Sequence, residues 1–414
     1  MPSLRELFHL YRRHLVDDVL AFWLQHAVDE TYGGVLSCWN NQGTQLISHD
    51  KYIWSQGRWI WLLARLARTA RAGLLDLDPE TCLGRAERTA LLVRHHALLA
   101  DGSVAYVTDR AGEPKEAAPG QGLHISVFAD LFVALGFAAL AQEGGDPAWG
   151  GLAEDLLASA RARIAAGTAR TEPYPVRAGF SGFSQPMILV NVGTEVHAAT
   201  RSEASAKTVA EAVATIDLFR YEADIREMTP RDPADADMLL ARHRTPGHVL
   251  EACWFLMHAA DLLGARAGAL ASDTSRLADL AAHACAIGWD AERGGLFRYV
   301  DAAGGEPCGR RSDDRYERLV VTTWDTKLWW PHAEALYALL LFGLRTGRED
   351  LLALHERLHA YVLTTFPAGP GREWVQIRDR DGTPLEATVA LPVKDPFHVA
   401  RALLLLVELL AGRS

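Results

Sequence analysis

Apolar residues return every three to four positions along most of this chain, the spacing of one helix face. The pattern predicts helices over 4–25, 52–72, 79–100, 125–142, 148–167 and 185–200. It continues over 202–221, 246–268, 273–288, 326–347, 349–366 and 396–411. Ser202 and Asp273 stand where two of these helices start, and both residue types are good N-caps. About twelve helices follow one another with no long linker, and helices joined by short connections pack as antiparallel pairs. The polar stretches at 110–121 and 301–318 are the weakest points of the run.

Between some helices lies a second, hairpin-like signal. Asp29-Glu30-Thr31-Tyr32-Gly33-Gly34-Val35-Leu36 matches Asp290-Ala291-Glu292-Arg293-Gly294-Gly295-Leu296-Phe297, and each is followed by a short apolar strand and a turn. Tyr106 to Gly112 and Val375 to Gly382 resemble the same turn. Helix pairs joined at intervals by similar hairpins suggest an internally repeated toroid. The expectation is an all-α chain, a single domain over 1–414, with six helical hairpins closed into an (α/α)6 barrel and short β-hairpins in its loops. Periodicity alone does not separate that ring from an open superhelix.

Composition narrows the partners. Of 414 residues, 49% are hydrophobic, so a large core is available. The net charge is −10 and no basic cluster stands out, which argues against a nucleic-acid or anionic-membrane partner. None of the five cysteines forms a C-x-x-C pair, so neither a zinc site nor a disulfide framework is expected. The N-terminus has no signal-peptide h-region, and the run Ala402 to Leu410 is too short to span a bilayer and carries Glu408. A soluble, cytoplasmic protein is the expectation. Lysine is scarce, yet Lys51, Lys327 and Lys394 all fall inside the stretches that carry the candidate chemistry.

Two of those stretches look alike. Thr245-Pro246-Gly247-His248 and Asp395-Pro396-Phe397-His398 each place a capping residue, then Pro, then His three positions on. Each histidine then lies in the first turn of a helix, where the positive end of the dipole pushes its pKa down. A neutral imidazole is what a general base needs. Ordinary capped helices would give the same pattern. Trp54, Arg58 and Trp61 share a helix face at i, i+4, i+7 spacing, and rings beside a guanidinium suit a sugar as well as they suit a Trp-rich core. Trp330 and Glu334 are i, i+4 neighbours after Lys327-Leu328-Trp329, and a capped core helix is the plain alternative. Asn191 is a single amide in an apolar helix, the usual setting of a satisfied core group. Glu251 follows His248 by three residues and could orient its ring or hold a hydroxyl. No nucleophile elbow, phosphate loop, dinucleotide fingerprint or metal cluster is present.

These motifs taken together resemble the N-acylglucosamine 2-epimerase family, which includes renin-binding protein. The matching stretches are Asp50 to Arg58, Pro246 to Leu256, Gly288-Trp289-Asp290 with Gly294 to Phe297, Lys327 to Ala335, Arg372-Glu373-Trp374, and Lys394 with Phe397-His398-Val399 and Arg401. They occur in family order from about residue 20 to 410. The resemblance implies an (α/α)6 barrel and a cofactor-independent sugar 2-epimerase or aldose–ketose isomerase. It implies His248 and His398 as paired acid/base residues, Arg58 as a substrate-binding arginine, and Glu251 and Glu334 as supports for the histidines and the sugar. Trp330 and Trp54 would line the sugar site, with Arg401, Asn191 and Lys394 as further polar contacts. Asn191 followed by Glu195 leans toward the acylglucosamine branch. Arg244-Thr245, Asp395-Pro396 and the loop from Ala111 to His124 depart from that branch, which bears on N-acyl specificity rather than mechanism.

The reaction so implied opens the sugar, removes the C2 proton with one His to give a cis-enediolate, and returns a proton to the opposite face with the other. Return to C1 would yield a ketose. Some members are activated by a nucleotide, and a homodimer is common in such barrels. Two other readings compete. An (α/α)6 glycoside hydrolase would need a carboxylate pair, for which Asp290, Glu334 and Glu373 are nominees. A binding protein without activity would have no use for both histidines.

Overall fold

The computed structural model describes residues 3–413. Six helices form an inner ring: Ile53–Arg71, Val127–Gly144, Ser184–Thr200, Pro246–Leu263, Trp329–Thr346 and His398–Ala411. Each packs against the next, and His398–Ala411 packs back on Ile53–Arg71. The ring is therefore closed, which the periodicity left open. Six outer helices cover it. The first runs continuously over 4–26 with a stretch of wider turns at His14–Leu20, and it lies on the last inner helix. The others are Pro79–Leu92, Pro147–Ala165, Glu203–Asp217, Thr274–Gly288 and Glu349–Thr365, each lying on the inner helix that precedes it in the chain. The first and last helices of the barrel thus pair with each other. Where the inner ring closes, between His398–Ala411 and Ile53–Arg71, Glu408 accepts from Arg65 at 2.7 Å and from Thr69 at 2.8 Å.

The two rings differ as their surroundings require. Val127–Gly144 is buried at every position from Val127 to Leu140, because an inner helix meets neighbours on all sides. By length and composition it could cross a membrane, and it, not Ala402–Leu410, is the span that passes that test. Here it is a core helix. Pro79–Leu92 instead buries a stripe at Cys82, Leu83, Ala86, Thr89 and Ala90. Caps differ too. Ser3, Asp78, Asp146, Ser202 and Asp273 each cap an outer helix through the side chain. None of the six inner helices is capped by the side chain of its N-cap residue. Other groups meet their first N–H donors instead: the carbonyls of Tyr106, Arg170 and Gln376 accept from Ile53, Val127 and Trp329.

Short strands explain where sequence-based boundaries shift. Lys51–Tyr52 and Lys327–Leu328 pair with Val107–Thr108 and Ile377–Arg378, so the helices behind them begin at Ile53 and Trp329. Arg220–Tyr221 pairs with Asp224–Ile225 and ends the helix expected to reach 221. The final helix starts at His398, and the stretch 301–318 gives way to an unpredicted helix, Arg315–Thr323. The repeated hairpins are real repeats. Gly33 donates to Asp29 and Asp29 to Gly34; Gly294 donates to Asp290 and Asp290 to Gly295. Lys51 bonds Asp29 at 3.1 Å and Arg110 joins at 3.0 Å; Lys327 bonds Asp290 at 3.0 Å and Arg380 joins at 2.8 Å. Lys51 and Lys327 are buried cations that pin the hairpins to the strands.

The stretch Gln56-Gly57-Arg58 has a packing reason. Gln56 bridges the backbone of Val35 through both amide atoms, at 2.8 and 2.9 Å. Gly57 lies where two inner helices cross: a Cβ there would stand 2.3 Å from the Phe132 carbonyl oxygen, and one on Gly136 would stand 2.4 Å from that of Gly57. Gly57→Ala is expected to destabilise the barrel by about 1–3 kcal/mol or more, because backbone must move to admit the methyl. A urea titration checks this.

Candidate active site

All six inner helices present their first turns to one end of the barrel, where a cavity opens between them and the loops. Trp54 and Arg58, Phe128 and Phe132, Met187 and Ile188, His248 and Glu251, Trp330, and His398 line it, one set from each inner helix. Six helix N-termini converge here, and their dipoles favour negative charge in the cavity. Phe180, Met228, Tyr299 and Tyr316 build a small separate core in the covering loops.

His248 and His398 are both present on this lining, and their surroundings match. His248 Nδ1 lies 2.8 Å from Glu227, and His398 Nδ1 lies 2.8 Å from Glu334. An ionised carboxylate only accepts, so each Nδ1 carries the proton and donates, leaving Nε2 as the basic atom. Trp330 packs against both rings, with centroids 5.0 Å from His248 and 5.9 Å from His398. A Cβ on Gly247 would fall 2.5 Å from the Trp330 ring, which is why glycine precedes His248. The helix of His398 borrows its cap: Asp395 accepts from the His398 N–H at 2.9 Å.

The expected downward pull on the histidines is not what governs His248. Burial lowers its pKa, but the Glu227 carboxylate more than offsets this, and the net shift is upward. Burial raises the pKa of Glu227, and the facing imidazole brings it below the usual carboxylate range. The sign for stability follows. The pairing contributes fully below the unfolded-state pKa of His248 and is lost as pH rises through its higher folded value. The sign for turnover is opposite, because base strength is available only above the folded value. Glu227→Gln is therefore expected to move the acidic limb of the pH–rate profile to lower pH. It is also expected to lower kcat by about 10- to 150-fold, the loss of one charge-assisted hydrogen bond. A pH series of kcat/KM reads both.

Behind the cavity floor, Arg401 bonds Glu251, and Glu334 at 2.7 Å. Glu334 also accepts from Trp254 Nε1 at 2.8 Å. Glu251, expected to orient His248, pairs with Arg401 instead; one turn along the helix it points across the barrel. The donor atoms of Glu251, Glu334 and His398 lie within 4.8 Å of one another, a grouping that could hold a metal. The Arg401 guanidinium already bonds both carboxylates there. Arg58 lies over the Phe132 ring at 3.9 Å, with Asp395 only at 3.5 Å. Burial lowers its pKa to about 10, so it stays charged at neutral pH, and its Nε is without a partner among the described residues.

Besides Arg401 and Glu334 behind the floor, two more predicted contacts lie off the cavity lining. Lys394 does not line the cavity: its ammonium bonds the carbonyls of Asn41, at 2.7 Å, and Trp374. Asn191 sits a turn deeper than Ile188, buried, with its Oδ1 unpartnered among the described residues. His332 of the Trp-Trp-Pro-His stretch is structural, donating to Leu328 and accepting from the Leu296 N–H of a hairpin. The hydrolase nominees do not form a cavity pair. Asp290 holds Lys327 and Arg380, Glu373 accepts from Trp23 at 2.5 Å, and Glu334 serves His398 and Arg401. Sequence reasoning missed Glu227, Arg298 and Tyr174. Arg298 directly follows the quoted Gly-Gly-Leu-Phe turn and was within reach of the pattern.

The family model described as N-acylglucosamine 2-epimerase (GlcNAc 2-epimerase) matches residues 33–402. The N-acylglucosamine 2-epimerase of Bos taurus is 28% identical over 409 residues, covering 95% of this chain and 89% of its own. That of Rattus norvegicus is 28% identical over 438 residues, covering 100% and 94%. Among solved structures, a sugar epimerase from a ruminal bacterium superposes with a TM-score of 0.76 at 18% identity, covering 97% of this chain and 98% of its own. A cellobiose 2-epimerase from Bacillus thermoamylovorans gives 0.74 at 16%, covering 98% and 99%. These likenesses establish the barrel.

Proposed function

The chain belongs to the N-acylglucosamine 2-epimerase family, and from that premise we propose that it is a sugar 2-epimerase, an isomerase that inverts C2 of a free aldose without a cofactor. The observation that carries this reading is the matched pair of carboxylate-backed imidazoles on one cavity, both packed against Trp330. One Nε2 takes the proton from C2 of the open-chain aldehyde. The C2–H electrons form the C1–C2 double bond, and the carbonyl oxygen becomes the enediolate oxygen. Arg58 and the six helix N-termini stabilise that charge, a contribution that can reach several kcal/mol. The imidazolium of the second His then gives its proton to the other face of C2, and the aldehyde re-forms. The carboxylates Glu227 and Glu334 stabilise whichever ring is protonated. Delivery to C1 instead would give a ketose, so the same site can support an aldose–ketose isomerase.

Proton NMR in D2O tests it. The sugars are N-acetylglucosamine, N-acetylmannosamine, glucose, mannose, fructose and cellobiose, with and without ATP. Deuterium at C2 with growth of the epimer supports the reading. A ketose product assigns the isomerase instead. No exchange in any sugar, including the acidic ones named below, contradicts both.

A further inference from the structure

Among the described residues, the least exposed arginines are Arg244, Arg298 and Arg401, at 2–4%. Two rest on carboxylates, Arg244 on Asp224 and Arg401 on Glu251 and Glu334. Arg298, 4% exposed, lines the cavity and forms no ion pair among the described residues. Its Nη1 donates to the Thr323 hydroxyl at 3.1 Å and its Nη2 to the Tyr174 hydroxyl at 3.1 Å, and the Tyr299 ring lies 4.9 Å away. Every one of these partners is neutral.

A guanidinium taken from water without a counter-charge is costly, and proteins normally place an anion beside it. The carboxylate nearest in function, Glu227, is committed to His248. Arg298 is also held still. Tyr299 N–H donates to Trp324 at 3.1 Å, and Val300–Asp301 pairs with His243–Arg244, so the backbone following it is fixed. Tyr174 is fixed in turn by donating to the Val389 carbonyl. Five N–H donors in a rigid fork, only some of them taken by hydroxyls, match a carboxylate, sulfonate or phosphate. The dipoles of the helix N-termini around the same cavity act in the same direction.

We propose that the sugar this protein acts on carries an anionic substituent, on a carbon other than the reacting C2, and that Arg298 is the residue that selects for it. The proposal rests on the epimerase reading for the word sugar, but the anion preference is measured apart from it. Matched pairs are compared with the full chain: mannose with mannuronate and mannose 6-phosphate, and N-acetylmannosamine with its 6-carboxylate and 6-phosphate. The wild-type protein is expected to favour an acidic member over its neutral partner by roughly 10- to 150-fold in kcat/KM, the size of a charge-assisted hydrogen bond. That ratio is expected to collapse in Arg298→Gln and to be partly kept in Arg298→Lys. Which acid wins distinguishes carboxylate from phosphate. Neutral sugars turned over as well as acidic ones by the wild type would overturn the proposal, and so would an unchanged ratio in a folded Arg298→Gln. If no sugar is turned over, the epimerase reading fails. Calorimetric titration of the same pairs then decides: tighter binding of the acidic member, lost in Arg298→Gln, supports the anion site, and equal or absent binding overturns it.

Discussion

Alanine at His398 or at His248 lowers kcat by about 10²- to 10⁴-fold, the range for loss of a positioned acid or base. His398 is the cleaner case. Its ring leaves Glu334 still paired with Arg401 and Trp254, so no buried carboxylate is orphaned. The cap on its helix uses the backbone N–H, which alanine keeps. His398→Ala should therefore melt close to wild type while turnover collapses, with KM changed little, because the lost interaction belongs to the transition state. His248→Ala removes the imidazole facing buried Glu227, so some stability is lost as well. Glutamine at 248 separates the two effects. Kinetics together with thermal melts check both variants, and turnover near wild type in either one contradicts the two-base scheme.

Glu334→Ala produces the largest effect on stability, about 3–5 kcal/mol, because it breaks a buried ionic network by removing one partner. The Glu334 carboxylate is buried and takes donors from His398, Arg401 and Trp254. Without it Arg401 keeps only Glu251, Trp254 Nε1 loses its acceptor, and His398 loses the group that fixes its tautomer. Burial raises the Glu334 pKa, but Arg401 and His398 more than offset this and hold it low, so the ion pair persists well into the acidic range. Glu334→Gln keeps an acceptor and should lose less stability but comparable activity. The midpoint of a urea transition reads the first effect. A midpoint unchanged in the alanine variant would mean the network contributes nothing.

Much of the barrel was legible in the sequence because local rules decide it. Ser202 and Asp273 cap as their residue types predict, and the Asp-x-x-x-Gly-Gly turns repeat bond for bond. Ring closure was not legible, since the Arg65–Glu408 seam joins residues 343 positions apart. The histidines were legible through their helix starts. Their pKa environment was not: the dipole at the helix start is local, whereas Glu227 arrives from a loop with no periodicity to mark it. Glu251 lines the cavity as its i, i+3 spacing from His248 suggests, but that spacing could not show that Arg401 waits for it across the barrel. Lys394 misled because a motif shared by a family records folding needs as well as chemistry, and this lysine ties strands together.

The central claim is that two histidines serve opposite faces of one carbon. The most direct test follows C2–H exchange in D2O, separately for each epimer, in His248→Gln and His398→Ala. Each variant should exchange the C2 proton of only one epimer, a different one in each case, while interconverting neither at more than about 1% of the wild-type rate. Loss of exchange for both epimers in one variant, with full exchange of both in the other, would show that a single histidine does all the proton transfer.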